Sequence, residues 1–208
     1  MPAMRFFTSI FPILAALAAT PALSQDKPAD TAKPQTVKES VPGPLAPGEE
    51  RLDSLYGQLK RERGSEQARI IAEEIREVST RAAGSATVDF LMESSAKAMN
   101  DKRYGAALDF LDQVTLLAPD YAEGWNRRAT LHYLLGNYAK AMSDSARVLA
   151  LEPRHLGALA GIAGILQETG NDQQALRAWE NYLSYYPADR EAQQQMIELM
   201  NKLAGQKT

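Results

Sequence analysis

The chain has 208 residues, of which 45% are hydrophobic, 24% charged and 7% aromatic, proportions typical of an ordinary folded protein rather than a disordered or fibrous one. Its formal net charge of -3 is too mildly acidic to indicate electrostatic binding of nucleic acid. The sequence contains no cysteine, which excludes disulfide frameworks, Cys-ligated zinc, iron–sulfur clusters and thiol nucleophiles.

The first 24 residues have the pattern of a secretory signal peptide. Arg5 precedes an apolar stretch over residues 6–19, and the small residues Ala22 and Ser24 predict cleavage before Gln25. An uncleaved membrane anchor is the alternative, but the 14 residues of this stretch are fewer than the roughly 20 that a spanning helix needs. We therefore expect an exported protein with no membrane span after cleavage, located in the periplasm or, alternatively, secreted.

Residues 25–48 are predicted to form a Pro-rich flexible linker. Hydrophobic residues are too sparse there to build a core, and Lys, Asp, Thr and Ser alternate with five prolines, namely Pro28, Pro34, Pro42, Pro44 and Pro47. The composition favours a spacer over a recognition motif.

Residues 49–87 begin with a predicted helix pair. Apolar residues recur at helical spacing from Glu49 to Val78, with a turn at Arg63-Gly64-Ser65. About five additional residues separate this pair from the next predicted helix. Two interpretations stay open, a degenerate repeat or a capping helical hairpin.

From residue 88 onward the sequence repeats with a period of 34 residues. The period joins Pro119, Pro153 and Pro187, and it also relates Ala107, Ala141 and Ala175, and Gly136 and Gly170. The units cover residues 88–121, 122–155 and 156–189, and each has the pattern of two amphipathic helices, called A and B, joined by a short turn.

Local signals define the helices of the second unit. Asp120 and Glu123 have the spacing of a capping box at the start of helix A. Gly136 is predicted to end that helix in the left-handed conformation, and Pro153 is predicted to end helix B. After the third unit, residues 190–208 are predicted to form a capping helix and a tail, because Ala192 to Leu203 contain an apolar stripe at helical spacing.

These units resemble the tetratricopeptide repeat (TPR) family, whose 34-residue unit has characteristic residue types at fixed positions. The third unit matches nearly throughout, with Leu159, Ile162, Ala163, Leu166, Ala175, Trp179, Tyr182 and Pro187. The resemblance implies an all-α fold, a TPR-type α-solenoid of antiparallel helix pairs with a C-terminal capping helix. It also implies that the A helices line a concave groove that binds a protein or peptide.

The groove positions of the family can be transferred to this sequence residue by residue. They give predicted partner-binding residues in all three units, namely Met92, Met99, Asn126, Arg127, Thr130, Tyr133, Leu134, Ala160, Gly161 and Gly164. Gly161 and Gly164 have two interpretations of equal weight. They either provide an open floor for a bulky side chain or a partner helix, or they only permit tight packing between units.

The remaining polar residues do not indicate catalysis. His132 lies within helix A without a metal-ligating residue at i+3 or i+4, so a packed core histidine is favoured over a ligand. His155 is expected to be a helix cap or solvated. Arg128 replaces an apolar residue, and the resemblance pairs it with Asp144 of helix B as a structural ion pair. We expect no catalytic, metal-binding or cofactor-binding residue, and no cofactor.

The sequence therefore predicts a noncatalytic protein–protein interaction module of the cell envelope, an adaptor or assembly factor whose groove binds a peptide or a partner helix. The alternative is a structural or accessory envelope protein that acts by self-association. The identity of the partner is unknown, and nucleic acid is not expected to be one.

Overall fold

A computed structural model describes residues 47–81 and 84–205. The predicted signal peptide and nearly all of the predicted linker lie outside the described residues. Within the described ranges the chain forms nine helices and no strand. The helices are α1 (Pro47–Arg61), α2 (Ser65–Arg81), α3 (Ala86–Asn100), α4 (Tyr104–Leu117), α5 (Ala122–Leu134), α6 (Tyr138–Leu151), α7 (Leu156–Glu168), α8 (Asp172–Tyr185) and α9 (Arg190–Gly205).

The predicted all-α solenoid of helix pairs is confirmed. The pairs α3–α4, α5–α6 and α7–α8 pack as antiparallel hairpins, and each hairpin contacts the next through α4–α5 and α6–α7. The first helices of the second and third units, α5 and α7, also contact one another. No helix in residues 47–81 or 84–205 is long and apolar enough to span a membrane.

The turns between the two helices of each unit share one backbone conformation. Gly136 and Gly170 have φ values of +71° and +74°, in the left-handed region that glycine adopts without strain. The corresponding residue of the first unit, 34 positions before Gly136, is Lys102 with φ +58°. The first turn therefore has the same geometry, with the steric cost of a side chain in the left-handed region.

The predicted capping box of α5 is wrong. The residue before the helix, Tyr121, provides no side-chain cap, and the Glu123 carboxylate accepts hydrogen bonds from Asn126 and Arg127 instead. Asp120 forms an exposed ion pair with Arg147. The spacing of the motif is present, but Glu123 pairs with side chains one turn further along α5 and Asp120 pairs with Arg147 of α6.

The C-terminal helix α9 packs on α8 as a cap. Ala192 and Leu199 of its apolar stripe are buried, Met196 and Leu203 are partly buried, and Met200 is exposed. The contact with α8 therefore buries only part of the apolar stripe of α9.

The N-terminal hairpin, α1 with α2, folds back over the later units. Its principal neighbours outside the hairpin are α8 for α1 and α5 for α2, whereas a hairpin stacked in series would pack mainly on the first unit. Leu55, Tyr56, Leu59, Ile71 and Ile75 belong to one buried cluster with residues of α7, α8 and the start of α9. Burial of such large side chains provides the main driving force for this packing.

Candidate partner-binding cleft

A cleft of about 570 Å³ separates α2 from the start of α5, the start of α7 and the segment that joins α8 to α9. Its floor is apolar and aromatic, and the residues that form it include Tyr56, Ala72, Ile75, Leu156, Ala160, Tyr182 and Tyr186. Five carboxylates and three arginines add charge to the lining, namely Glu66, Glu73, Glu123, Asp189 and Glu191 with Arg69, Arg76 and Arg190. An apolar floor with a few placed polar groups is the usual composition of a ligand site.

Glu123 is the buried acidic group of the cleft, with 7% of its surface exposed. Its Oε2 atom accepts a hydrogen bond from Nδ2 of Asn126 at 3.1 Å and lies 3.3 Å from Nε2 of His155. Its Oε1 atom accepts from Nε of Arg127 at 3.4 Å. A buried carboxylate requires such partners, because an isolated charge in a protein interior is costly.

The same contacts determine the charge of Glu123. Burial acts to raise the pKa of this carboxyl, but the hydrogen bond and charge of His155, the charge of Arg127 and the hydrogen bond from Asn126 outweigh burial and hold the pKa below its usual range. Glu123 is therefore an ionised carboxylate at neutral pH.

His155 caps α7 and joins it to α5. Its Nδ1 atom accepts a hydrogen bond from the backbone N–H of Ala158 at 3.3 Å, and its Nε2 atom faces Glu123. The side chain is buried. Of the two expectations for this residue, the helix cap is confirmed and the solvated position is wrong, because its ring is buried against Glu123 of α5.

Polar contacts also hold the N-terminal hairpin against residues of the first and second units. Nη1 of Arg154 donates to Oδ1 of Asp53 at 2.5 Å, and the guanidinium lies 4.5 Å from the centre of the Tyr56 ring. Near the end of α2, the hydroxyl of Tyr121 donates to the carbonyl of Thr80 at 2.6 Å. These contacts join segments that are far apart in sequence.

Two of the predicted partner-binding residues, Asn126 and Ala160, line the cleft. Gly157 also lines it, and a Cβ atom there would lie 3.0 Å from Oδ1 of Asn126. Glycine at position 157 therefore leaves the space that the Asn126 side chain occupies. Arg127 contacts Glu123 from outside the cleft.

The other predicted residues of the second unit lie beyond the cleft. Thr130 is exposed and its hydroxyl donates to the carbonyl of Asn126. Leu134 is 58% exposed. The hydroxyls of Tyr133 and Tyr138 both donate to the Glu168 carboxylate, which joins the end of α5 to the end of α7.

Gly161 and Gly164 face open space. A Cβ atom built at either position would meet no atom within 4 Å outside its own helix and adjacent residues. Tight packing between units therefore does not account for these glycines, and an open surface on α7 is the interpretation that the geometry favours. The contrasting glycine is Gly124, where a Cβ atom would lie 2.6 Å from Cγ1 of Val114.

The prediction that Met92 lines the groove is wrong, whereas the prediction for the partly buried Met99 stays a prediction. Met92 is 4% exposed and belongs to a buried cluster with Val88, Leu111 and Val114, and Met99 is partly buried against that cluster. Met92 therefore faces α4 and α5 in the core, where a flexible apolar side chain fills the space between helices.

The expected ion pair between Arg128 and Asp144 is present. Nε and Nη2 of Arg128 each lie 2.8 Å from an oxygen of the buried Asp144 carboxylate, in the bidentate arrangement. Nη1 also donates to Asp112 and to the hydroxyl of Thr115. The guanidinium thus joins α4, α5 and α6, and it lies 4.7 Å from the centre of the Trp125 ring.

His132 is buried behind this ion pair. Its Nδ1 atom is the buried side-chain nitrogen or oxygen without a hydrogen-bond partner among the described residues. Burial lowers the pKa of His132, with Lys140 and Arg128 acting in the same direction and Asp144 opposing them. The residue therefore packs as a neutral imidazole, as expected for a core histidine.

Sequence reasoning missed the contribution of the N-terminal hairpin to the site. Tyr56, Arg69, Ile75 and Arg76 line the cleft, but the sequence shows only that α2 has an apolar stripe. The spacing of that stripe identifies a face that must be buried, and it carries no information on which helix covers it.

The chain is a solenoid of repeated helix pairs, and its cleft is lined by the first helix of the second unit and of the third unit. This is the architecture of a tandem-repeat interaction protein. The chain is 48% identical to a TPR repeat-containing protein of Rhizobium etli, over 100% of both chains. It is also 37% identical to the human SGT1 homologue over 78 residues, which cover 38% of this chain and 21% of that protein. No protein-family model matches the chain. Because this chain is similar to the Rhizobium protein over its whole length, it belongs to the tetratricopeptide repeat proteins.

Solved structures show the same fold. The first TPR domain of Spaghetti (RPAP3), bound to the HSP90 peptide SRMEEVD, superposes with a TM-score of 0.55 at 22% identity, covering 58% of this chain and 95% of that chain. The protein MamA superposes with a TM-score of 0.54 at 16% identity, covering 77% of this chain and 86% of that chain. At these identities the likeness concerns the fold alone.

Proposed function

We propose that this protein is a noncatalytic protein–protein interaction module of the cell envelope, which holds a peptide or a partner helix against the first helices of its TPR units as an adaptor or assembly factor. The observation that supports this function is the cleft of about 570 Å³ between α2 and the starts of α5, α7 and α9. That volume lies within the range of small-ligand and peptide-anchor sites.

The surface beyond the cleft supports binding of a longer segment. Ala160 lines the cleft, and Gly161 and Gly164 continue along α7 with no atom in front of them. A structural neighbour, the RPAP3 domain, holds a peptide in its solved structure. By analogy, a segment seated in the cleft of this protein extends along α7 toward Tyr133 and Leu134.

The binding function is tested with the mature protein as bait in an envelope extract. Asn126→Ala changes the cleft, and Gly161→Leu fills the open surface of α7. The matched control is Ala146→Leu on the exposed side of α6. We expect both site variants to lose the retained partner and the control to keep it, with circular dichroism unchanged. Full retention by both site variants would show that the partner binds elsewhere.

Location in the envelope is a separate part of the proposal, based on the N-terminal sequence. Intact-mass measurement of the exported protein is expected to give a chain that starts at Gln25. A mature species that retains residues 6–19 would contradict cleavage and would favour a membrane anchor.

Self-association is a second candidate because large apolar side chains are exposed on the first unit. Phe90 is 65% exposed, and Leu116 and Leu117 are also exposed. Sedimentation of the mature protein and of Phe90→Ser with Leu116→Ser tests this role. A wild-type oligomer that the double variant dissociates would support self-association, and a wild-type monomer at all concentrations would contradict it.

A further inference from the structure

The cleft has the length of a short extended peptide. The residues of α2 that line the cleft lie between Ser65 and Ser79, a distance of about 21 Å along the helix axis. An extended segment rises about 3.3 Å per residue, so about six residues fit beside α2. Which side chains such a segment carries depends on the groups that the cleft leaves available.

Most carboxylates of the cleft already have close partners. Glu66 and Glu73 form ion pairs with Arg69 and Arg76 on the same helix. Asp189 accepts hydrogen bonds from two backbone N–H groups at the start of α9, at 3.0 and 3.1 Å, and from the hydroxyl of Tyr182 at 2.6 Å. These groups have little capacity left for a ligand.

Glu123 differs from them. Its three donors lie at 3.1, 3.3 and 3.4 Å, longer than the roughly 2.7–2.9 Å of a strong charge-assisted hydrogen bond. Oε1 has a single hydrogen bond among the described residues, the one from Arg127 at 3.4 Å. A carboxylate oxygen accepts up to two hydrogen bonds, so the Glu123 carboxylate, which lines the cleft, keeps capacity for one further donor.

The surroundings of Glu123 suit a basic side chain. Tyr56, Tyr182 and Tyr186 line the same cleft with Leu156 and Ala160, which provides apolar surface for an aliphatic stem and aromatic surface for a cation. The structure contains one such contact already, since the Arg154 guanidinium lies 4.5 Å from the centre of the Tyr56 ring. The two arginines of α2 that line the cleft are engaged by Glu66 and Glu73.

We propose that the cleft selects a partner segment of about six extended residues that inserts one lysine or arginine side chain, with the Glu123 carboxylate as the acceptor of its charged N–H group. This inference rests on the proposed function, because it names the chemistry of the partner at the same cleft. An acidic segment is disfavoured, since five carboxylates line the cleft against three arginines.

The test is a selection from a display library of random seven-residue peptides on the mature protein. Enriched peptides are expected to share a lysine or arginine flanked by apolar residues. A synthetic enriched peptide is then compared with versions in which methionine or glutamate replaces the basic residue. We expect about tenfold weaker binding for methionine, because a hydrogen bond to a charged group is lost, and weaker binding still for glutamate.

Protein variants assign the effect to one carboxylate. Glu123→Gln is expected to remove the preference for the basic peptide, and Glu180→Gln, on an exposed position of α8 outside the cleft, is expected to keep it. The peptide comparison needs no protein variant, so it remains decisive if Glu123→Gln fails to fold.

The outcomes separate this inference from the function on which it rests. Enriched peptides without a basic residue, or a lysine-to-methionine change without effect, would overturn the basic anchor while leaving peptide binding established. A selection that enriches no peptide at all would overturn both the anchor and the peptide-binding function.

Discussion

His155 and Glu123 link the start of α7 to the start of α5 through buried side chains: Nε2 of His155 lies 3.3 Å from Oε2 of Glu123, and Nδ1 of the same ring caps α7. His155 is the last residue of the second unit and Glu123 lies near its start, and both line the cleft. The stability that this contact contributes depends on pH through the carboxyl group of Glu123.

The pKa of Glu123 is held below its usual range in the folded protein. A carboxylate with a depressed folded pKa contributes stability that is present above its unfolded pKa and is lost as the pH falls through the folded pKa. We therefore expect Glu123→Gln to lower the melting temperature at pH 7, and the difference from wild type to shrink below about pH 5. Exposed carboxylates titrate in both proteins, so the difference isolates Glu123. A difference that grows toward acidic pH would contradict the assigned contacts.

Arg128 is expected to be structural. Arg128→Ala removes the bidentate partner of the buried Asp144 and is expected to cost about 1 to 4 kcal/mol in the free energy of unfolding. Arg147→Ala breaks an exposed pair with Asp120 and is expected to cost less than about 1 kcal/mol. Urea denaturation measures both. An Arg128→Ala protein of unchanged stability that no longer binds its partner would assign this arginine to the binding site instead.

The same substitution is expected to have opposite effects at two glycines, Gly124 of α5 and Gly161 of α7. Gly124→Ala places a methyl group 2.6 Å from Cγ1 of Val114 and is expected to destabilise the protein by roughly 1 to 3 kcal/mol. Gly161→Ala meets no atom within 4 Å and is expected to be neutral or to stabilise by up to about 1 kcal/mol, through helix propensity. Thermal unfolding compares them, and Val114→Ala is expected to restore part of the loss in Gly124→Ala. Equal effects at the two positions would contradict the described packing.

The hairpin α1–α2 depends on Arg154. Arg154→Ala removes the contacts with Asp53 and Tyr56 and is expected to speed backbone hydrogen exchange in α1 and α2 by roughly three- to tenfold. Amides of α4 are expected to keep their rates. Arg103→Ala, which removes only an exposed pair with Asp101, serves as control. Unchanged exchange in α1 would show that apolar burial alone holds the hairpin.

The repeat helices could be predicted from sequence because their signals are local. Gly136 and Gly170 end first helices in the left-handed conformation, and their 34-residue spacing recurs in the turn geometry. The bidentate partner of Arg128 followed from the resemblance, which relates fixed positions within one unit.

The cleft could not be predicted because its parts are distant in sequence. The apolar stripe of α2 shows that Ile71 and Ile75 are buried, but the stripe fits a first unit stacked in series as well as one folded back on α5 and α8. Glu123 has the spacing of a capping box, and only the folded chain brings His155 to it. For the same reason Met92 was assigned to the groove, although its side chain packs in the core.

The central claim is that the cleft holds a partner in the cell, and site-specific photo-crosslinking tests it most directly. A photoreactive phenylalanine analogue replaces Glu191, on the exposed rim of the cleft, or Ala146, on the exposed side of α6. We predict that irradiation of intact cells gives a discrete adduct from position 191 and none from position 146, and that Asn126→Ala weakens the adduct. An adduct from position 146 alone, or an adduct at 191 that Asn126→Ala leaves unchanged, would contradict the assignment of the cleft as the binding site.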